Sequence, residues 1–550
     1  MIIKEMKNLV KYIAVGLAAV SVASCADLDT EYLGNYVSAD QKAAAHAAKP
    51  ELGTSGVTAI TAQFYLYGQV STKHYDFGYP GIMIGLDSQT ADFNGGNSGY
   101  NWFLNWQMFS NPTPTGIPTG MAWYHMYKQI KLENDLLASI DPETTDATNL
   151  FYMAQGLAVR SFNYWVLANL YAFNYQVDAT APCVPIITEK NQEEASINGC
   201  PRASVKEVYD QIFADIDLAI TSLEKSGLQP SAIIASKSKR LVSLAVAYGL
   251  RARYNMSIGN YAAAASDAQN AINNFNGSPY TIQQLMRPGF TNIDDQSWMW
   301  GIATAETDRV VTTGIVNFPS HICSLAYGYT EVGGWRYCSQ DLYNQIPNTD
   351  VRKGWFLNES FTSDHLNADE QEYINKYVGA WTLEETQKPF IYPYTNVKYG
   401  TYQDVIEQST NASDIPMMRV EEMYLILAEA QAMSGNPGAG KTTLETLIRT
   451  YRNPAYTCSA SDAAGIQEEV FQQKRVELWG EGLMWFDYMR LNKGVNRLNA
   501  MAPSAFRFDM PAGSPQFIYC IPNGEITANK QISDADNNPS SSRPIPVPNN

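Results

Sequence analysis

Asp87 and Asp92 stand in the run Gly85-Leu-Asp-Ser-Gln-Thr-Ala-Asp92, with Trp102 and Trp106 a short way downstream. Two carboxylates beside aromatic rings are what glycoside hydrolysis requires, the pair held ~5–5.5 Å apart for retention or ~6.5–9.5 Å apart for inversion. No other acidic pair in the chain suits that work better. A second stretch, Gly435-Asn-Pro-Gly-Ala-Gly440-Lys441-Thr442, satisfies the nucleotide P-loop pattern. Phosphate binding there needs a strand ahead of the loop and a helix behind it, so that backbone N–H groups converge. Residues 420–433 have helical periodicity instead, and no apolar strand ending in Asp follows. The stretch therefore reads as a glycine-rich turn between paired helices. His46, His74, His125, His321 and His365 form neither an HExxH motif nor a triad, and no CxxC or Cys/His cluster has zinc spacing. No metal and no cofactor is expected.

Binding chemistry is better represented. A sugar ring has a polar rim and an apolar C–H face, so it lies against an indole or phenol while neighbouring side chains hydrogen-bond its hydroxyls. Two loop-rich stretches carry both kinds of group. In the first, Tyr79, Phe93, Tyr100, Trp102 and Trp106 lie among Asn94, Asn97, Asn101, Asp87 and Asp92. In the second, Tyr327, Tyr329, Trp335, Arg336 and Tyr337 surround Gly333-Gly334. The expected ligand set is Asp87, Asp92, Tyr100, Trp102, Trp106, Tyr329, Trp335 and Arg336. The competing reading makes these rings anchors of small local cores. Trp123, Trp165 and Trp485 lie on helical stretches and read as core.

The elements that would carry these loops are helical and come in pairs. Apolar spacing predicts helices over 123–140, 150–173, 204–223, 241–254, 261–275, 417–433, 442–451 and 466–491. Ser204-x-x-Glu207 has the spacing of a capping box. Tyr248-x-x-Arg-Ala252, Gly259-Asn-Tyr261 and Ala264, Ala268 and Ala271 follow tetratricopeptide spacing, the small residues letting two helices nest. Between about 280 and 415 the periodicity fades into Gly, Pro, Tyr and Asn, with short strands at most, such as 309–316. The tail 533–550 is rich in Ser, Asn and Pro and is expected to be flexible.

Composition narrows the partners. The 550 residues hold 38 Lys and Arg against 55 Asp and Glu, a net charge of −17, which argues against nucleic acid. At 17% charged and 12% aromatic residues, the surface suits neutral, polar, flat ligands. Lys4, Lys7 and Lys11 precede an apolar run that ends in Val22-Ala23-Ser24-Cys25. That is a secretory signal, and Cys at the first mature position allows thioether lipidation. Residues 1–24 thus read as signal peptide, Cys25 as the lipid-bearing residue, and 25–56 as a tether. The apolar run is shorter than the about 20 residues a bilayer-spanning helix needs, so anchoring is expected through lipid. Of the six other cysteines, Cys183/Cys200 and Cys323/Cys338 are near enough in sequence to pair, but mostly free thiols are expected.

Read in order, five stretches resemble the SusD/RagB family of starch-utilisation-system D-like outer-membrane lipoproteins. They are the lipobox at Cys25; Arg202-Ala-Ser-Val-Lys-Glu-Val-Tyr209; and Leu250-Arg-Ala-Arg-Tyr254 with Gly259-Asn-Tyr261. The last two are Asp414-Ile-Pro416-x-x-Arg419-x-x-Glu422-x-Tyr424, and Lys474-Arg475-x-Glu477-Leu-x-Gly480-Glu481-Gly482 continuing to Arg490, with Ile521-Pro522-x-x-Glu525 after it. Gly333-Gly334-Trp335 ahead of Asp341 is similar to a sugar-facing loop of the family's starch binder. Two departures stand out: Gln472-Gln473 ahead of Lys474-Arg475, and Asp178–185 in place of the usual Gly-Asp-Val-Pro. The resemblance implies an all-α body of tetratricopeptide-like helix pairs in a superhelix, with a large irregular region packed against it. The body would span 57–532, helix pairs occupying about 121–275 and 416–491 and ligand loops about 57–120 and 280–415. It also implies a lipid-anchored protein of the outer-membrane surface. Such a protein captures oligosaccharide or polysaccharide and passes it to a SusC-like TonB-dependent transporter, with no chemistry of its own. A surface glycoside hydrolase and a peptide-capturing member of the same family are the alternatives. Within the signature helices, Arg475, Glu477, Glu481, Asp487 and Arg490 read as a buried hydrogen-bonded charge network.

Overall fold

The computed structural model describes residue 49, residues 53–380 and residues 390–548, so Cys25 and most of the tether lie outside the described residues. The longer helices are α1 (Gly53–Gln63), α2 (Tyr79–Gln89), α3 (Ile117–Leu137), α4 (Ala147–Tyr171), α5 (Val205–Ser226), α6 (Leu244–Ser257) and α7 (Tyr261–Asn273). After the irregular region come α8 (Val420–Met433), α9 (Pro437–Tyr451), α10 (Ala463–Glu477) and α11 (Met484–Arg490). Each of α3 to α9 packs on the next in sequence, and α10 returns onto α8, so the body winds as a superhelix of neighbouring pairs. Helix α1 starts within the stretch assigned to the tether.

Local chemistry sets the helix ends. Ser204 and Glu207 form the full capping box ahead of α5, and Gly227, in the left-handed region at φ 65°, closes it. Asp146 accepts from the Thr148 and Asn149 backbone N–H groups at the start of α4. Ala264, Ala268 and Ala271 are fully buried where α7 nests against α6 and α8. Gly440 sits in the first turns of α9, where an added Cβ would strike the Ala428 carbonyl oxygen and Ala432 of α8. The P-loop-like run is therefore a close helix–helix turn, with Asn436 capping α9. Gly440→Val is expected to cost about 1–3 kcal/mol by overpacking, read as a lowered thermal midpoint, and Mg²⁺–ATP should leave the wild-type midpoint unmoved.

The structure differs from the sequence expectations in four places. Residues 417–419 belong to a strand, because Ile415–Arg419 pairs antiparallel with Trp298–Ile302 before α8 begins. Residues 466–491 are two helices, not one: Gly480 and Gly482 take φ 80° and 71°, and a Cβ at Gly482 would meet Met83 of α2. Arg309–Thr312 is a short helix, and among the described residues the strands that lie within the irregular region are Trp298–Ile302 and Arg336–Cys338. The tail lies against the body: Arg202 donates to the Asp536 carbonyl and Asn538, the Ser541 N–H to Pro112, and the Val547 N–H to Arg507. Cys183, Cys200, Cys323, Cys338, Cys458 and Cys520 are all free thiols.

A buried charge cluster fastens the irregular region to the helices. Glu477, at the end of α10, receives Arg419 Nη1 at 2.9 Å, Arg452 Nε at 2.7 Å and Arg352 Nη1 at 3.3 Å. Glu481 receives Arg419 Nη2 at 2.7 Å and Lys398 Nζ at 2.7 Å. Arg452 also reaches Glu421 of α8 at 3.0 Å, and Asp350 holds Arg352 at 2.7 Å. Nearby, Arg253 pairs with Glu422, and Arg490 joins Glu429 to Asp487. All these side chains are buried. Their cations hold the Glu477, Glu481 and Asp487 carboxyls below their usual range against the opposing pull of desolvation. Arg475 stands apart from this cluster and serves Asp92.

Candidate functional site

The strand Phe93–Gly95 pairs antiparallel with Arg336–Cys338, placing Gly95 opposite Arg336. The loop leaving the first strand, which carries Tyr100 and Trp102, and the loop entering the second, which carries Tyr327 and Tyr329, therefore emerge at one end of the ribbon. A third loop, 66–78, joins them through His74. The imidazole of His74 stacks on Trp102 with ring centroids 4.6 Å apart, and its Nδ1 is hydrogen-bonded to the Tyr329 hydroxyl.

Beneath this junction the rings are stacked and locked. His321 lies between Tyr329 at 4.2 Å and Phe77 at 5.3 Å, both nearly parallel. His321 Nε2–H donates to the His74 carbonyl oxygen at 2.9 Å. Burial and then the Arg336 charge press the His321 pKa well down, so the imidazole stays neutral. Asn101 fixes the Trp102 loop: its Nδ2 donates to Gly96 O and Gln107 Oε1, and its Oδ1 accepts from Arg336 Nη1 at 2.8 Å. Asp76 fixes the third loop by accepting from the Val70 and Ser71 N–H groups at 2.7 and 2.5 Å. Tyr67 donates to Thr72 O, and the Arg309 guanidinium lies 5.1 Å over its ring.

What these three loops bring to solvent is a set of aromatic rings, taken together as a shelf. Tyr100 is 46% exposed and Tyr327 44%, while Trp102, His74 and Tyr67 are half-buried. Gln69 and Thr72 of the third loop, Asn97 ahead of Tyr100 and Asn105 of the helix Leu104–Gln107 are polar residues with exposed surface close to these rings in sequence. Flat rings held at fixed angles beside amides can take the apolar face of a neutral polar ring and bond its hydroxyls. Among the described residues, no three His, Cys, Asp or Glu side chains assemble as a metal site.

Of the eight ligand residues read from sequence, only Tyr100 and Trp102 stand on this shelf with exposed surface. The other six are buried, each for a stated reason. Trp106 closes over α2, where an added Cβ on Gly85 would meet its indole. Trp335 packs edge-on against Tyr377 at 5.2 Å. Tyr329 is buried at one end of the stacked column, though its hydroxyl holds His74. Arg336 lies under the shelf between Phe93 and Phe103, and burial lowers its pKa to about 9. Asp92 is taken by Arg475 at 2.6 and 2.7 Å and by Ser339 at 2.8 Å. Asp87 accepts the Gly482 N–H at 2.9 Å within the core. Both carboxylates of the pair considered from sequence are buried and engaged by protein donors. Sequence reasoning passed over His74 and Tyr67; the alternation Lys73-His74-Tyr75-Asp76-Phe77 was the signal available.

Burial raises the Asp87 pKa to about 8, the acid form being favoured over a charge in the core. A carboxyl whose folded pKa is raised adds stability below its unfolded value, and that stability is lost as pH rises toward 8. Asp87→Asn keeps an oxygen for the Gly482 N–H and removes the titration. It is expected to raise the thermal midpoint at pH 8 relative to wild type, with a gain of about 1–3 kcal/mol, and to flatten the decline between pH 5 and 8. An unchanged pH profile in the variant would refute this.

Comparison with known proteins supplies the context for the shelf. The model of the SusD family matches residues 326–539, and a SusD-like model described as starch-binding and associating with outer membrane matches residues 69–247. No curated protein sequence matches the chain. A SusD-like carbohydrate-binding protein from Bacteroides vulgatus superposes with a TM-score of 0.69 at 21% identity, covering 88% of this chain and 98% of its own. A SusD superfamily protein from Bacteroides thetaiotaomicron gives a TM-score of 0.66 at 18% identity, covering 92% and 100%. Surface glycan-binding protein A from Bacteroides thetaiotaomicron, solved with laminarihexaose, gives 0.63 at 16% identity, covering 89% and 99%.

Proposed function

The chain belongs to the SusD/RagB family, and from that premise we propose that it is a surface glycan-binding lipoprotein whose binding face is the shelf of Tyr100, Trp102, His74, Tyr67 and Tyr327. The observation that carries the reading is the convergence of three loops on one solvent-facing group of rings, locked from below by Asn101, Asp76 and the His321 column. A preformed shelf binds without an ordering cost, while displacement of water from sugar hydroxyls keeps each contact modest in energy.

Capture without cleavage is the proposed activity, supported by the burial of Asp87 and Asp92 in protein contacts. Among the described residues no helix is long and apolar enough to cross a membrane. The anchor proposed is lipid on Cys25, which would hold the body at the outer membrane, and the proposed recipient of the glycan is a SusC-like TonB-dependent transporter. A glycan array probed with the mature chain, followed by calorimetry on the glycans retained, tests the reading. Binding that falls in Trp102→Ala and Tyr100→Ala supports it. Binding that neither substitution weakens would remove the shelf as the site, and release of reducing ends would replace capture with hydrolysis.

A further inference from the structure

A second cleft, of about 570 Å³, opens between the loops 284–295 and 402–414 and shares no lining residue with the shelf. Ten non-glycine residues among those described have φ in the left-handed region, and four of them line this one cleft: Lys237 at 51°, Phe290 at 60°, Gln403 at 59° and Asp404 at 57°. That conformation is costly for any L-residue with a Cβ and for a bulky one such as Phe especially. It persists only where the surroundings over-determine it, and such residues gather at ligand clamps. Backbone ties flank Phe290, namely Gly289 N–H to Lys398 O at 2.9 Å, Gly400 N–H to Gly289 O at 2.8 Å and Asp414 N–H to Thr291 O at 2.9 Å, while Lys237 is held by Thr304 O and Asp414 and the Asp404 N–H by Thr401 O.

We propose that this cleft is a second binding site, separate from the shelf, for a short uncharged saccharide. Its size lies within the range of ligand pockets, ~300–1,000 Å³. Four of its five charged side chains are matched in pairs, Lys237 with Asp414 at 2.7 Å and Arg287 with Asp404 at 3.7 Å, and the fifth, Asp295, is held by the Tyr280 hydroxyl. An anionic ligand would have to break one of those pairs, and a cationic ligand would find only the Asp295 carboxyl, already bonded to Tyr280. A wholly apolar one would strand the Asn292 and Gln403 amides and the Asp295 carboxyl, which accepts from the Tyr280 hydroxyl at 2.6 Å. The remaining class is a neutral polyhydroxylated ring, which Tyr280, Phe290 and Tyr402 can flank with aromatic surface while the amides bond its hydroxyls. That this ligand is a saccharide rests on the reading of the protein as a glycan binder.

The test is calorimetric titration of the mature chain with neutral trisaccharides, namely maltotriose, laminaritriose, xylotriose and mannotriose, and with any longer neutral glycan retained on the array. Two sites are expected in the wild type, one lost in Trp102→Ala and the other weakened at least about tenfold in Asn292→Ala and in Gln403→Gly. Gln403→Gly relieves the left-handed backbone, so its thermal midpoint should hold or rise while its cleft binding falls. A residue that only supports the fold would lower both. A single site lost only in Trp102→Ala overturns the cleft and leaves the shelf. A single site lost only in the cleft variants supports the cleft and overturns the shelf, and absence of all binding overturns both.

Discussion

Glu477→Gln should unfold or nearly unfold this protein, with an expected loss of about 3–5 kcal/mol. Three arginines, Arg352, Arg419 and Arg452, converge on the one carboxylate from the irregular region, the strand before α8 and the end of α9. Each is fully buried, so removing the anion leaves cations in a medium that solvates them poorly. Glutamine also turns an acceptor into a donor facing those guanidinium groups. The signature helices of the chain are thus held for a structural reason: Glu477 and Glu481 decide whether the loops dock on the superhelix at all. Acid should act by the same route. Carboxyls whose folded pKa is depressed add stability above their unfolded values near pH 4 to 4.5, and lose it as pH falls through the folded ones. A steep acid-side loss of the thermal midpoint below about pH 4 is therefore expected in the wild type, shallower in Glu477→Gln if that variant is recovered. Wild-type stability in Glu477→Gln would contradict this account of the cluster.

Trp102→Ala should reduce glycan affinity by roughly 30-fold, corresponding to about 2 kcal/mol for truncation of a central aromatic anchor. The indole is backed by His74 at 4.6 Å and its loop is pinned by Asn101, so the proposed binding would need no ordering of the ring. The substitution removes a half-exposed side chain on a loop and should leave the thermal midpoint near that of the wild type. His74→Ala should give a smaller loss, because the indole would still be present but less constrained. Equal affinity in wild type and Trp102→Ala, with both folded, would place the glycan elsewhere.

Much of the scaffold was legible in the sequence because it rests on local rules. The capping box at Ser204, the alanine face of α7 and the turn at Gly435 are short-range features that act as they read. The signature helices carried the charge network, from which Arg475 alone stands apart, on Asp92. The ligand set was less legible, since whether a loop aromatic faces outward depends on pairing distant in sequence. Arg336 and Trp335 are buried because Arg336–Cys338 pairs with Phe93–Gly95, a contact no spacing rule announces. Asp87 looked chemical in its sequence context, and only the left-handed turn at Gly480 and Gly482 shows that it braces a loop. The irregular region shares one continuous core with the helices, which draws Trp106 and Trp335 inward, while Tyr329 is buried in the ring column and Tyr100, Trp102 and Tyr327 keep exposed surface.

The placement of ligand on this surface is open to direct observation. A crystal structure of the mature chain with the tightest glycan from the array should show a saccharide ring lying against Trp102, with Tyr100 or Tyr327 beside it and hydroxyls within hydrogen-bond reach of the loop amides. Sugar density confined to surfaces other than the three converging loops, with Trp102 untouched, would contradict the account.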